Sequence, residues 1–115
     1  MDFNIQERLI KVENKNIYLP PMILSFLKAF YEETLDRKGL TITEMMHDSF
    51  LTKIYDVYKN TRNITPSYEQ WLKGLSPANI RVYISKLNRI LEESNVNIKI
   101  KSKRIYGATR YVFFQ

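Results

Sequence analysis

The stretch Ser76–Ser94, SPANIRVYISKLNRILEES, decides how this chain reads. Its apolar side chains fall at Ile80, Tyr83, Ile84, Leu87 and Leu91, the spacing of one face of a helix. Ser76 is placed to cap the helix by accepting from a free backbone N–H. Pro77 suits the first helical position, where a missing N–H leaves no bond unmade. The opposite face offers Asn79, Arg81, Val82, Ser85, Lys86 and Arg89. Ser94-Asn95 ends the run. The reading is an amphipathic helix over 76–95 with a cationic outer face.

Downstream, Val96–Lys101 alternates with period two, and so does part of Arg104–Phe113. Ser102-Lys103 lies between the two runs and Gly107 interrupts the second. This predicts a β-hairpin over 96–115 with basic residues along one side. Upstream, Leu9–Val12 and Ile17–Leu19 flank the polar tripeptide Asn14-Lys15-Asn16, which predicts a second hairpin within 1–20, closed by Pro20-Pro21. Residues 21–75 read as two helices and an insertion. The first helix opens at Pro21 and carries Ile23, Phe26, Leu27, Phe30, Tyr31 and Leu35, with Gly39 as its C′ residue behind Arg37-Lys38. Leu40-Thr41-Ile42 reads as a single short strand. Thr43 is placed to cap a second helix bearing Met46, Phe50, Leu51, Ile54, Val57 and Tyr58, which runs to about Lys59. Residues 60–67 read as loop, and Tyr68–Leu72 as a helical turn that sets Trp71 on the core. Three main helices between an N-terminal and a C-terminal hairpin make a single α+β domain over 1–115.

The charge is uneven. The chain has 115 residues, with 18 Lys and Arg against 12 Asp and Glu, a net +6. Residues 1–75 contain ten charges of each sign, so the whole excess falls in 76–115, on Arg81, Lys86, Arg89, Lys99, Lys101, Lys103, Arg104 and Arg110. Such asymmetry points to a polyanionic partner on one face.

Several function classes are excluded by what the chain lacks. It has no cysteine and one histidine, His47, so neither a disulfide scaffold nor a thiolate or polyhistidine metal site is expected. No apolar run approaches the ~18 residues of a membrane span, and the N-terminus lacks a signal-peptide core. A cytoplasmic location is the expectation. There is no Gly-rich phosphate loop and no serine or zinc hydrolase motif. Glu32-Glu33 and Glu92-Glu93 are sequence neighbours, which point about 100° apart on a helix and form no catalytic dyad. The expected protein is not an enzyme and needs no cofactor.

Ile80–Leu91 resembles the recognition helix of the OmpR/PhoB-type winged helix-turn-helix domain, the DNA-binding output domain of response regulators. The match holds at Ile80, Val82, Ile84, Ser85, Lys86, Leu87, Arg89 and Leu91. Tyr106–Phe113, YGATRYVF, is similar to the family's closing strand with one extra residue and one glycine fewer. Val12–Leu27 and Gly39–Met46 resemble its entries into helices 1 and 2. No receiver domain accompanies these residues, so no phosphorylation switch is expected, and Asp56–Leu75 is longer than the family's loop.

The resemblance implies a winged helix that binds double-stranded DNA as a small transcriptional regulator, acting as a homodimer or as tandem copies on paired half-sites. It places Lys86 where a base is read in the major groove, with Asn79 and Val82 where small or apolar side chains meet bases. Tyr83, Ser85 and Asn88 fall at phosphate-contacting positions. Arg81 and Arg89 join this set from the helix, and Lys101, Lys103, Arg104 and Arg110 from the wing. Residues 60–75 become the candidate contact for RNA polymerase or a host protein. Two rival functions remain open: a replication or mobile-element maintenance factor that prefers single strands through Tyr106 and Tyr111, and a protein-interaction module acting through 60–75, as a phage-borne protein would use against its host.

Overall fold

The structure is a computed structural model and describes residues 1–36 and 38–114. Three short strands, β1 (Asp2–Asn4), β2 (Leu9–Val12) and β3 (Lys15–Tyr18), form an antiparallel meander in that order. β1 is an addition to the expected hairpin. Three residues have no periodicity of their own, and Asp2–Asn4 becomes a strand through pairing with Leu9–Lys11. The β2–β3 turn is Glu13-Asn14, both with left-handed backbones at φ 51° and 64°, the conformation that suits the twist of a tight hairpin.

Helix α1 (Pro21–Glu33) starts with Pro21 at N1 and buries Ile23, Leu24, Phe26, Leu27 and Phe30. It stops at Thr34, whose hydroxyl donates to the Phe30 carbonyl at 2.7 Å. Gly39 is therefore not its C′ residue. It sits five residues past the helix cap at φ +72°, with the Tyr111 carbonyl and Val112 Cγ1 each 2.5 Å from where a Cβ would be. The glycine lets the chain cross against the last strand. Arg37, expected beside it, lies outside the described residues.

Leu40 then forms a one-residue antiparallel bridge with Tyr111, exchanging N–H···O bonds of 3.0 and 2.8 Å. The expected strand shrinks to that rung because Thr41, not Thr43, opens the next helix. Thr41 and Glu44 form a reciprocal capping box around the short α2 (Ile42–Met45). A second start at His47 opens α3 (Asp48–Tyr58), so the expected single helix is two. The loop after it leads to α4 (Tyr68–Lys73), which places Trp71 in the core beside Tyr55, Tyr58 and Tyr68.

Helix α5 (Pro77–Glu93) begins as its sequence dictates, with Ser76 Oγ accepting from the Asn79 N–H and Pro77 at N1. It buries Ile80, Ile84, Leu87 and Leu91, each of which contributes roughly 1.5–3 kcal/mol. It ends in a Schellman turn: the Asn95 N–H bonds to Glu92 O and the Val96 N–H to Leu91 O, with Asn95 left-handed at φ 57°. Strands β4 (Lys99–Ile105) and β5 (Ala108–Phe114) follow as an antiparallel pair. Their turn is Tyr106-Gly107, at φ 50° and 79°. Ser102 and Lys103, expected to interrupt the pairing, lie inside the strand opposite Tyr111 and Arg110.

The core joins α1, α3 and α5 to the inner faces of both sheets. Phe113 carries the hairpin into it, its ring 5.1 Å from Phe30 and 5.9 Å from Tyr31. Among the described residues, five helices and two antiparallel sheets make an α+β fold, and no helix is long and apolar enough to cross a membrane.

Candidate nucleic-acid interface

On α5, the buried residues Ile80, Ile84, Leu87 and Leu91 define the inner face. At 100° per residue, Arg81, Val82, Ser85, Lys86 and Arg89 cluster on the other side. All five are exposed, and Val82 keeps 45 % of its surface in solvent. An apolar side chain is thus set among three cations on a helix face that no described residue covers.

Asn79 is differently employed. Its Oδ1 accepts from the Ser76 hydroxyl at 2.6 Å while its N–H donates back to Ser76 Oγ at 3.2 Å. It completes the helix cap, and its amide nitrogen is left for other partners. Asn88, placed by resemblance at a phosphate position, is committed to the fold. Its Nδ2 donates to Ile100 O and its Oδ1 accepts from the Ile100 N–H, both at 2.8 Å. The amide stands in for a missing neighbour strand at the β4 edge, and it locks the hairpin beside α5.

Three further bonds hold the far end of α5. Lys15 Nζ donates to the carbonyls of Ser94 and Asn95 at 3.1 and 2.9 Å, an ammonium at the negative end of the helix dipole. Glu13 Oε2 accepts from the Asn97 N–H at 2.9 Å. The β2–β3 turn thereby fixes where the helix stops and the hairpin starts. Sequence reading missed this function of Lys15. The only local signal was its place in a polar turn, and the partner lies about eighty positions away.

The hairpin register sorts its charges. Lys99, Lys101 and Lys103 alternate onto one face, across from Phe114, Val112 and Arg110. The other face bears Ile100, Ser102 and Arg104 opposite Phe113, Tyr111 and Thr109. The expected single basic side is therefore a lysine face with Arg104 on its reverse. Lys101 Nζ lies 4.9 Å from the centre of the Phe114 ring, and Arg104 Nη1 donates to Thr109 Oγ1 at 3.2 Å.

Arg110 is drawn inward, with 29 % of its side chain exposed. Its Nη1 donates to Glu44 Oε1 at 3.0 Å and to Gly39 O at 3.3 Å. The Thr41 backbone N–H donating to Glu44, more than the neighbouring Arg110 guanidinium, holds that carboxyl below its ordinary value. Arg110 serves as a brace between α2 and β5. Among the described residues it is the one cation of 76–115 in an ion pair.

Tyr83 lies half-buried on the flank of α5 against Phe26, and burial pushes its hydroxyl up from the usual tyrosine value, with Tyr58 adding to the effect. Tyr111 is half-buried beside Leu40, whereas Tyr106 stands fully in solvent. Comparison of the chain with protein-family models, curated proteins and solved structures returns no match.

Proposed function

We propose that this protein is a winged helix-turn-helix that binds double-stranded DNA as a small transcriptional regulator. In this reading α5 lies in the major groove, which admits one helix, and β4–β5 is the wing on the neighbouring phosphates or minor groove. The observation that carries it is the outward face of α5: Arg81, Lys86 and Arg89 surround the exposed Val82, and Asn88 holds a lysine-faced hairpin alongside. The Leu40 rung on β5 adds support, since it gives the order helix, short strand, helices, hairpin that a winged helix requires. Arg81, Val82, Ser85, Lys86 and Arg89 then form the base-reading and flanking set, with Lys101 and Lys103 on the backbone from one face of the hairpin and Arg104 from its reverse near the tip. Arg110 leaves the set as a brace, and Asn79 keeps only its amide nitrogen for DNA. The reading implies a cytoplasmic location and paired half-sites filled by two copies.

Selection of bound oligonucleotides from a random duplex pool tests the proposal. An enriched motif is the expected result, and a pool that stays random after repeated rounds refutes it. On the selected site, Lys86→Ala relaxes preference at one position by ~1–3 kcal/mol. Lys103→Ala and Arg104→Ala weaken binding to every sequence alike and reduce the salt dependence.

One observation favours a second reading, a protein contact through 60–75. Ile64, between α3 and α4, leaves 86 % of its surface in solvent. A nuclease-resistant complex with RNA polymerase that Ile64→Asp abolishes would support it.

A further inference from the structure

The tip of the β4–β5 hairpin carries a side chain that the proposed function leaves without a task. Tyr106 is the first residue of the two-residue turn and has a left-handed backbone at φ 50°. Asparagine, aspartate and glycine are the usual occupants there, and a bulky ring is strained. Gly107 beside it, at φ +79°, has nothing within 4 Å of where a Cβ would stand, so that side of the turn is open. Tyr106 as a whole is 103 % exposed. Among the described residues it packs on no other ring and lies under no cation. The fold thus bears a strained backbone and a fully hydrated aromatic ring, and draws no packing from either.

The surroundings of the ring are cationic. β4 and β5 contain no carboxylate, and the exposed Lys103 and Arg104 lie just before the turn. From Ile100, where Asn88 clasps the strand, to Tyr106 is six residues, an extension of about 20 Å at ~3.3 Å each. That reach exceeds the ~12 Å width of the major groove that would hold α5. In the duplex reading, an arm of this length is long enough to cross the phosphate rail beside α5 and bring its tip to the adjoining minor groove.

We propose that Tyr106 is a base-stacking wedge, its ring entering the minor groove beside the α5 site and stacking on a base at a step it partly opens. This rests on the double-stranded DNA reading given above and adds a substrate requirement to it. The duplex must carry an easily unstacked pyrimidine–purine step, such as TA, at a fixed distance from the sequence read by α5.

The test uses the full chain and a duplex taken from the selection, with 2-aminopurine placed in turn at each purine on the wing side. Tyr106→Asn is the informative variant, because asparagine accepts the left-handed backbone and the protein folds at least as stably. Tyr106→Phe keeps the ring. The expected result is brightening of 2-aminopurine at one step by the parent protein and by Tyr106→Phe, and none by Tyr106→Asn. Tyr106→Asn also binds roughly tenfold more weakly, the change that about 1.4 kcal/mol produces, with an unaltered salt slope because no charge is lost. Equal affinity and equal brightening from Tyr106→Asn overturn the wedge while leaving duplex binding intact. Tighter binding of the parent to the isolated strand than to the duplex also overturns it. Failure of the parent to bind any duplex removes both proposals.

Discussion

The turns Glu13-Asn14 and Tyr106-Gly107 share one backbone conformation, two consecutive left-handed residues closing an antiparallel hairpin. Around the first, the charged side chains are exposed but bonded to the body of the molecule: Lys15 caps α5 and Glu13 holds the Asn97 amide. Around the second, Lys103, Arg104 and Tyr106 are all exposed, and among the described residues only Arg104 of the three makes a side-chain bond, to Thr109. The same local fold is used once as a clamp and once as an extended arm. The difference lies in neighbours: the clamp meets the end of α5, and the arm leaves its last supports at Arg110 and Leu40 and meets solvent. A charged hairpin becomes a candidate for binding when the fold has no other task for its charges.

Detaching the arm breaks this contrast most severely. Gly39→Ala forces a Cβ into the Tyr111 carbonyl and Val112 at a left-handed position. It is expected to destabilise the protein by about 3 kcal/mol in urea unfolding, with loss of the Leu40–Tyr111 rung. Asn88→Ala strips both partners from the Ile100 backbone. The expected loss is about 2 kcal/mol, together with faster amide exchange at Ile100 than at its unclasped strand neighbours. A variant as stable as the parent would show that water replaces the clasp.

The clamp and the arm separate in a paired measurement. Lys15→Ala lowers stability by about 0.5 kcal/mol through the helix dipole and leaves the salt slope of DNA binding unchanged. Lys101→Ala leaves stability nearly unchanged and reduces that slope by about one. The reverse pattern would mean that the N-terminal sheet, not the hairpin, faces the polyanion.

The smallest effect belongs to acid. Because the Glu44 carboxyl is held below its ordinary value of 4.5, its contribution is complete above that value and fades as pH falls through the lowered one. Arg110→Gln should shrink the acid sensitivity only in part, since the Thr41 N–H is the larger cause.

Helix α5 was legible to the residue because its signals are local: a serine cap, a proline at N1 and an unbroken apolar spacing. Trp71 as core followed from the same kind of pattern, whereas which ring of Phe113-Phe114 turns inward is set by the pairing register and not by any local signal. The hairpin turn was misplaced because Ser102-Lys103 looks like a loop by polarity: both faces of β4 are polar from Lys101 to Arg104 and the period-two signal vanishes there. The break at His47 has no proline, glycine or side-chain cap to announce it. Of the candidate interface, the outward residues of α5 were readable from helix geometry. The commitment of Asn88 and Arg110 to the fold was not, because their partners sit on other elements and no spacing encodes them.

The two locks on the hairpin, Asn88 against one edge and Leu40 against the other, also fix which variations in length it can accept. A single residue inserted just after Ile100 would move every position from Lys101 to Ile105 to the opposite face, turning the Lys101 and Lys103 ammonium groups onto the side that bears Phe113 and Tyr111. Lengthening is compatible with the locks only at the tip and only by matched pairs, two residues in each strand. Descendants or engineered forms of this protein should therefore differ in reach by increments of roughly 7 Å, a ladder of discrete arm lengths rather than a continuum.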